Sequence, residues 1–180
     1  MKVNETIIQI DDNEKNPLRM KARPVTSEEF GTEELKNIIK AMTSALSKES
    51  DGVAIAAPQI ALPLRIFVVS PQAYEEGVKS KPLVFINPKI TKRSRKTAIM
   101  QEGCLSVRWI YGKTKRSIAA SIEAYDTNGK KFTYGATGLI AHIFQHETDH
   151  LDGVLFIDHG FDLEEYTEEE VKEATNKEKK

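Results

Sequence analysis

His146 and His150 stand four residues apart with Glu147 beside the first, and this spacing constrains the chain more than any other feature. On an α-helix, residues four apart lie one above the other on a single face, so both imidazoles can reach one metal ion. Glu147 is then close enough to act on a water held there. Three fixed positions in five also arise by chance, so the flanking sequence has to decide. Thr137-Gly138 makes a helix start and Asp152-Gly153 a stop. Leu139, Ile143, His146 and His150 follow helical spacing, which predicts that the histidines continue an apolar, core-facing stripe. Two imidazoles and an acid on a buried face need compensation, and a metal supplies it.

A catalytic site of this type uses three protein ligands and one open position. His142 lies eight residues before His150, about 12 Å along a helix axis, so the three histidines cannot share one ion. His142 is therefore read as a wall of the pocket and His159 as a surface residue. Cys104, the one cysteine, follows Glu102-Gly103, where the glycine allows a sharp turn. A nucleophile or a small core residue would also fit it, but as a thiolate it suits Zn²⁺ or Fe²⁺ and is the better third ligand. Two imidazoles and a thiolate leave a divalent ion with enough positive charge to acidify water, and Glu147 would carry that proton to a leaving group. Spacing alone thus predicts a metal-dependent hydrolase of an amide-like bond.

The remaining sequence bounds this reading. With 26 basic and 27 acidic residues among 180, the chain is not a generic polyanion binder, and no specific nucleic-acid partner is expected. No apolar run is long enough to span a bilayer, so no membrane partner is expected, and Met1-Lys2-Val3-Asn4-Glu5 lacks a secretory signal. A lone cysteine suits a reducing cytoplasm. Residues 1–25 read as an irregular arm, and 33–48 as an N-terminal amphipathic helix carrying Leu35, Ile38, Met42 and Leu46. Gly52 to Ile60 is rich in small residues, as where backbone approaches something closely or packs tightly beneath a helix. Ile66–Val69 and Leu83–Pro88 read as buried strands, 70–81 as a surface loop, and Lys92–Lys96 as an exposed basic turn. Ser117–Asp126 and Lys130–Tyr134 form a hairpin around Asn128-Gly129, a type I′ turn signal. Val154–Ile157 reads as a closing strand. The result is an α+β chain with one catalytic domain over 1–160 and a charged, fraying tail over 161–180.

Three stretches, Gly52-Val53-Ala54-Ile55-Ala56-Ala57-Pro58-Gln59, Glu102-Gly103-Cys104-Leu105-Ser106 and Gln145-His146-Glu147-Thr148-Asp149-His150, in this order resemble the three signature motifs of peptide deformylases. The resemblance spans about residues 7–158 and implies a central metal-binding helix surrounded by short antiparallel sheets. It implies the ligands Cys104, His146 and His150, with Glu147 as acid/base. It also implies that the Gln59 amide and the Leu105 backbone N–H bind a developing oxyanion. The implied reaction removes the N-formyl group from the initiator methionine of nascent chains, with the ribosome near its exit tunnel as a further partner. One divalent ion is implied, Fe²⁺ as the native one, while N₂S ligation also accepts Zn²⁺ or Ni²⁺. The methionine side chain would enter a pocket built from Met100, Glu102, Leu139, His142 and Ile143. Peptide backbone would pair along Gly52, Val53, Ala54 and Gly103.

The sequence departs from the family pattern at several positions. Ala54 stands where a second glycine is usual, and His142 replaces an aliphatic residue. Val107 is not followed by the usual proline, and Tyr111 stands where many members carry arginine. Two alternatives use fewer of these features. A small metalloprotease needs only the His-Glu-x-x-His stretch, and a non-catalytic binder of formyl-methionyl chains would have no use for Glu147.

Overall fold

Thr32 opens the first helix because its hydroxyl accepts the Leu35 N–H, and Glu33 and Glu34 complement the positive end of the helix dipole. The computed structural model describes residues 3–11, 16–74, 81–171 and 173. Helix α1 (Glu33–Ser47) buries Leu35, Ile38, Ala41, Met42, Ala45 and Leu46, the stripe that the periodicity predicts. That stripe packs into a cluster with Ile55, Ile60, Ile66, Val68 and Ile86.

Among the described residues the strands form two antiparallel sheets. The first contains β1 (Ala54–Ala56), β2 (Ile66–Val69), β3 (Leu83–Arg93), β6 (Ala119–Tyr125) and β7 (Lys131–Thr137), in that spatial order. The second is β4 (Thr97–Cys104), β5 (Val107–Ser117) and β8 (Phe161–Glu165), also in that order. Among the described residues β1 and β4 are therefore edge strands, each with a side that pairs with no strand. Helix α2 (Gly138–Leu151) packs on the larger sheet through Phe144, whose ring meets Phe85 at 5.2 Å, Tyr134 at 5.8 Å and Phe67 at 6.3 Å between centroids. Gln145, one residue on, accepts the Ser117 N–H and donates to the Ser117 carbonyl, standing in for a neighbouring strand. Mixed helix and antiparallel sheet is thus the architecture, and among the described residues no helix is long and apolar enough to cross a membrane.

Several local expectations need correction. β3 continues past Pro88 because the register shifts between Ile86 and Lys89, and a proline at such a bulge forfeits no ladder bond. Asn87, at φ 50°, uses its amide to accept from and donate to the Val25 backbone there. The β6–β7 hairpin does not use a type I′ turn. The Asp126 carboxylate captures the Asn128 and Lys130 amides, and Gly129 at φ 78° alone adopts the left-handed conformation in the turn. Val154–Ile157 is no strand; Leu155 and Phe156 are buried against Leu18 and Val107, and a single 3₁₀ turn covers Phe156–Asp158. A short apolar run shows burial but not its secondary structure. β5 has no counterpart in the sequence reading, since its inward face carries Gly112, Thr114 and Arg116 rather than aliphatic residues. The charged segment after residue 160 begins with β8, paired to β5, and one helical turn follows at 168–171. Residues 75–80 of the expected loop, and the tail beyond 173, lie outside the described residues.

Candidate metal centre

The β4–β5 turn and α2 bring the predicted ligands together. Between Gly103 and Cys104 the β4–β5 register shifts, so that Cys104 pairs with Val107 while Gly103 pairs with Tyr111. Glycine lets the Tyr111 ring pack directly on the backbone there, because a Cβ on Gly103 would lie 2.7 Å from that ring and force it to move. The thiol is thereby aimed at α2, where Cys104 Sγ lies 3.2 Å from His150 Nε2. One ligand atom each from Cys104, His146 and His150 falls within 4.8 Å of the others. The two imidazole rings lie 4.8 Å apart, nearly perpendicular.

Glu102 controls the histidine side of the site. Its carboxylate is 3% exposed and takes Arg116 at 2.7 and 2.9 Å, Thr114 Oγ1 at 2.5 Å, His142 Nε2 at 2.7 Å and His146 Nδ1 at 2.5 Å. Burial alone would raise its pKa, but the Arg116 guanidinium and then the two histidines hold it far below the usual carboxylate range. The Glu102 carboxylate on Nδ1 orients the His146 ring and leaves Nε2 as the nitrogen that a metal would take, with loss of its proton. Burial opposes protonation of His146, yet neighbouring Cys104 and Glu102 hold its pKa well above the ordinary value. Burial, followed by the His146 charge, pushes His150 well below it, toward the neutral form that a ligand needs.

Three buried polar atoms in the site lack a partner among the described residues: His142 Nδ1, Glu147 Oε2 and His150 Nδ1. Such orphans cost free energy unless something else completes the site. A thiol, two imidazole nitrogens and an uncompensated carboxylate match the donor set of a divalent metal, and the residues fit that group. Burial raises the Glu147 carboxyl to about 7, the range in which a group both accepts and returns a proton near neutral pH.

Gln59 completes the constellation from the first sheet. Its Oε1 accepts the Ala56 N–H at 2.8 Å, which turns its Nε2 toward Ser106 Oγ at 3.2 Å and Cys104 Sγ at 3.6 Å. The irregular N-terminal arm holds both loops in place. Ile8 N–H donates to the Gln59 carbonyl, Ile10 N–H to that of Ser106, and the Gln9 amide to that of Leu105. Gln9, Thr114 and Arg116 were not singled out from the sequence, because nothing in a linear pattern links an arm or a polar strand face to residues far along the chain.

A cavity of about 830 Å³ opens over these groups. Gly52, Val53, Ala54 and Gln59 line one side, Glu102, Gly103, Cys104 and Leu105 another, and Leu139, His142, Ile143, His146 and Glu147 the floor. Leu139 is 46% exposed, so it faces the cavity rather than the core. Met100 is not among the lining residues; it stands two residues before Glu102 in β4 and pairs with Thr114 of β5. Glu102 lines the cavity, and its carboxylate is bonded to Arg116, Thr114, His142 and His146, so it also organises the site. His159 is partly exposed, 3.5 Å from Asp149, away from the ligand set.

Residues 5–166 match the family model described as Polypeptide deformylase. Peptide deformylase 2 of Clostridium acetobutylicum is 38% identical over 150 residues, covering 83% of this chain and 93% of that one. Peptide deformylase 1B, chloroplastic/mitochondrial, of Arabidopsis thaliana is 44% identical over 126 residues, 70% of this chain and 45% of its own length. The chain thus spans about half the length of that plant relative. A crystal structure of the Met-Ala-Ser-bound class I type b peptide deformylase from Acinetobacter baumannii superimposes with a TM-score of 0.76 at 28% identity, covering 86% of this chain and 97% of that one.

Proposed function

Because the chain belongs to the polypeptide deformylase family, we propose that it hydrolyses the N-formyl group from the initiator methionine of newly made polypeptides, releasing formate. The observation that carries this reading is the convergence of Cys104, His146 and His150 with Glu147 and Gln59 at one end of a cavity. Cys104, His146 and His150 would hold one divalent metal, which supplies Lewis acidity and lowers the pKa of water. Fe²⁺ is proposed as the native ion, and the same ligands accept Zn²⁺ or Ni²⁺.

Glu147 then takes a proton from the attacking water as its oxygen bonds to the formyl carbon. It returns that proton to the peptide nitrogen as the C–N bond breaks, so formate and a free α-amine leave. The Gln59 Nε2–H group and the Leu105 backbone N–H are assigned to the developing oxyanion, a role in which one donor is worth about 10²–10³ in rate. The fixed orientation of the Gln59 amide supports this assignment. β1 and β4 are edge strands facing the cavity, which supports extended pairing of the substrate backbone with Val53, Ala54 and Gly103. Leu139, His142 and Ile143 are assigned to the methionine side chain. The wider reading makes α2 the central metal-bearing helix of a single catalytic domain. It sets that domain in the cytoplasm, acting on chains as they leave the ribosome.

Formate release from formyl-Met-Ala-Ser by anaerobically prepared, metal-quantified protein tests this. Glu147→Gln should lower turnover by about 10²–10⁴-fold with metal content unchanged. Full activity in that variant would overturn the role of Glu147. Cleavage of unblocked peptides without formate release would point instead to a metalloprotease, and binding without turnover to a non-catalytic relative.

A further inference from the structure

The stretch after residue 160 is so charged that composition alone makes it a solvated tail, yet it folds back against the site. β8 pairs with β5 through Ile110–Glu165, Tyr111–Glu164 and Lys113–Phe161, and Tyr166 N–H extends the contact to the Trp109 carbonyl at 3.1 Å. Phe161 and Leu163 stay 40% and 44% exposed, so covering a core does not account for the strand. Its consequence lies at its end. The Tyr166 ring stands edge-on to Tyr111, 5.9 Å between centroids. Tyr111 in turn lies against Gly103, next to the Cys104 ligand. Tyr111 and Tyr166, with Glu170 and Val171 of the helical turn, line the same cavity as Glu147. A continuous wall therefore runs from the ligand set outward to the mouth.

We propose that Tyr166, carried by β8, is a specificity-determining residue that grips an extended peptide beyond its first residue. This rests on the deformylase reading above. An extended chain advances about 3.3 Å per residue, so a methionine held at the ligands sends its second and third residues along the Tyr111–Tyr166 face. Tyrosine rings suit such a task, since they offer broad apolar contact at small entropic cost.

Trp109 is the single tryptophan and lines the mouth, so its fluorescence reads binding independently of catalysis. The metal-loaded full chain is titrated with unformylated Met-Ala-Leu and with methioninamide, and formate release is measured from formyl-Met-Ala-Leu and formyl-methioninamide. Tyr166→Ala should weaken Met-Ala-Leu about three- to tenfold, the worth of one aromatic contact, and methioninamide less than twofold. The kcat/KM preference for the longer substrate should fall by the same factor, through KM. Tyr166→Phe should restore both. Equal weakening of both ligands, or of neither, would overturn the wall. If the wild-type chain binds Met-Ala-Leu in a Tyr166-dependent way but releases no formate, the wall stands and the deformylase reading fails.

Discussion

Glu102 shows how much of the site turns on single buried charges. In a low-dielectric setting its carboxylate persists because Arg116 spans it with two nitrogens and reaches on to Asp149 in α2 at 2.8 Å. Removing the cation leaves Glu102 to be supported by Thr114 and the two histidines alone. Arg116→Ala is expected to cost about 3–5 kcal/mol of stability, read as a lowered urea midpoint, and to loosen metal binding through His146. A loss below about 1 kcal/mol, as for an exposed pair, would show that the guanidinium is not holding the carboxylate. The proposed ligand residues stand out in the chain, because helical spacing sets His146 against His150 and a lone Cys follows a Gly. Arg116 does not, because buried cations are rare and its position beneath Glu102 depends on the β4–β5 register.

Among the elements, α2 carries the heaviest demand, since it must present three polar side chains to a cavity while holding still. Its rigidity comes from the opposite face, where Phe144 fills the space among Phe67, Phe85 and Tyr134. Phe144→Ala should cost about 3–5 kcal/mol in denaturant unfolding. It should also lower activity beyond the fraction unfolded, because α2 would lose the packing that sets its height over the sheet. Activity unchanged per folded molecule would mean that the Gln145–Ser117 bonds suffice. Both helices were legible from periodicity and end signals. β5 and β8 were not. One buries a polar face and the other buries almost nothing, so neither carries the apolar alternation by which strands are recognised.

For the whole molecule, the proposed ligands Cys104, His146 and His150 join the β4–β5 turn to α2, so metal occupancy and global stability should be linked. A divalent ion present at about 100 times its Kd adds about 2.7 kcal/mol, or about 5–10 °C in Tm for a chain of this size. Calorimetry before and after chelation should show that shift, and Cys104→Ser should shrink it; an unchanged Tm would mean that the three residues do not act together on an ion. By itself the sequence determined the helices, the two-histidine pitch, the single thiol and the three motifs that tie the chain to its family, because these depend on local spacing and residue chemistry. Only the tertiary structure decided that Glu102, while lining the pocket, also holds His146, that the N-terminal arm straps the Gln59 and Leu105 loops, and that the charged C-terminal stretch lines the cleft. Those facts depend on strand register and on contacts between residues far apart in the chain, whose free energy no local pattern records.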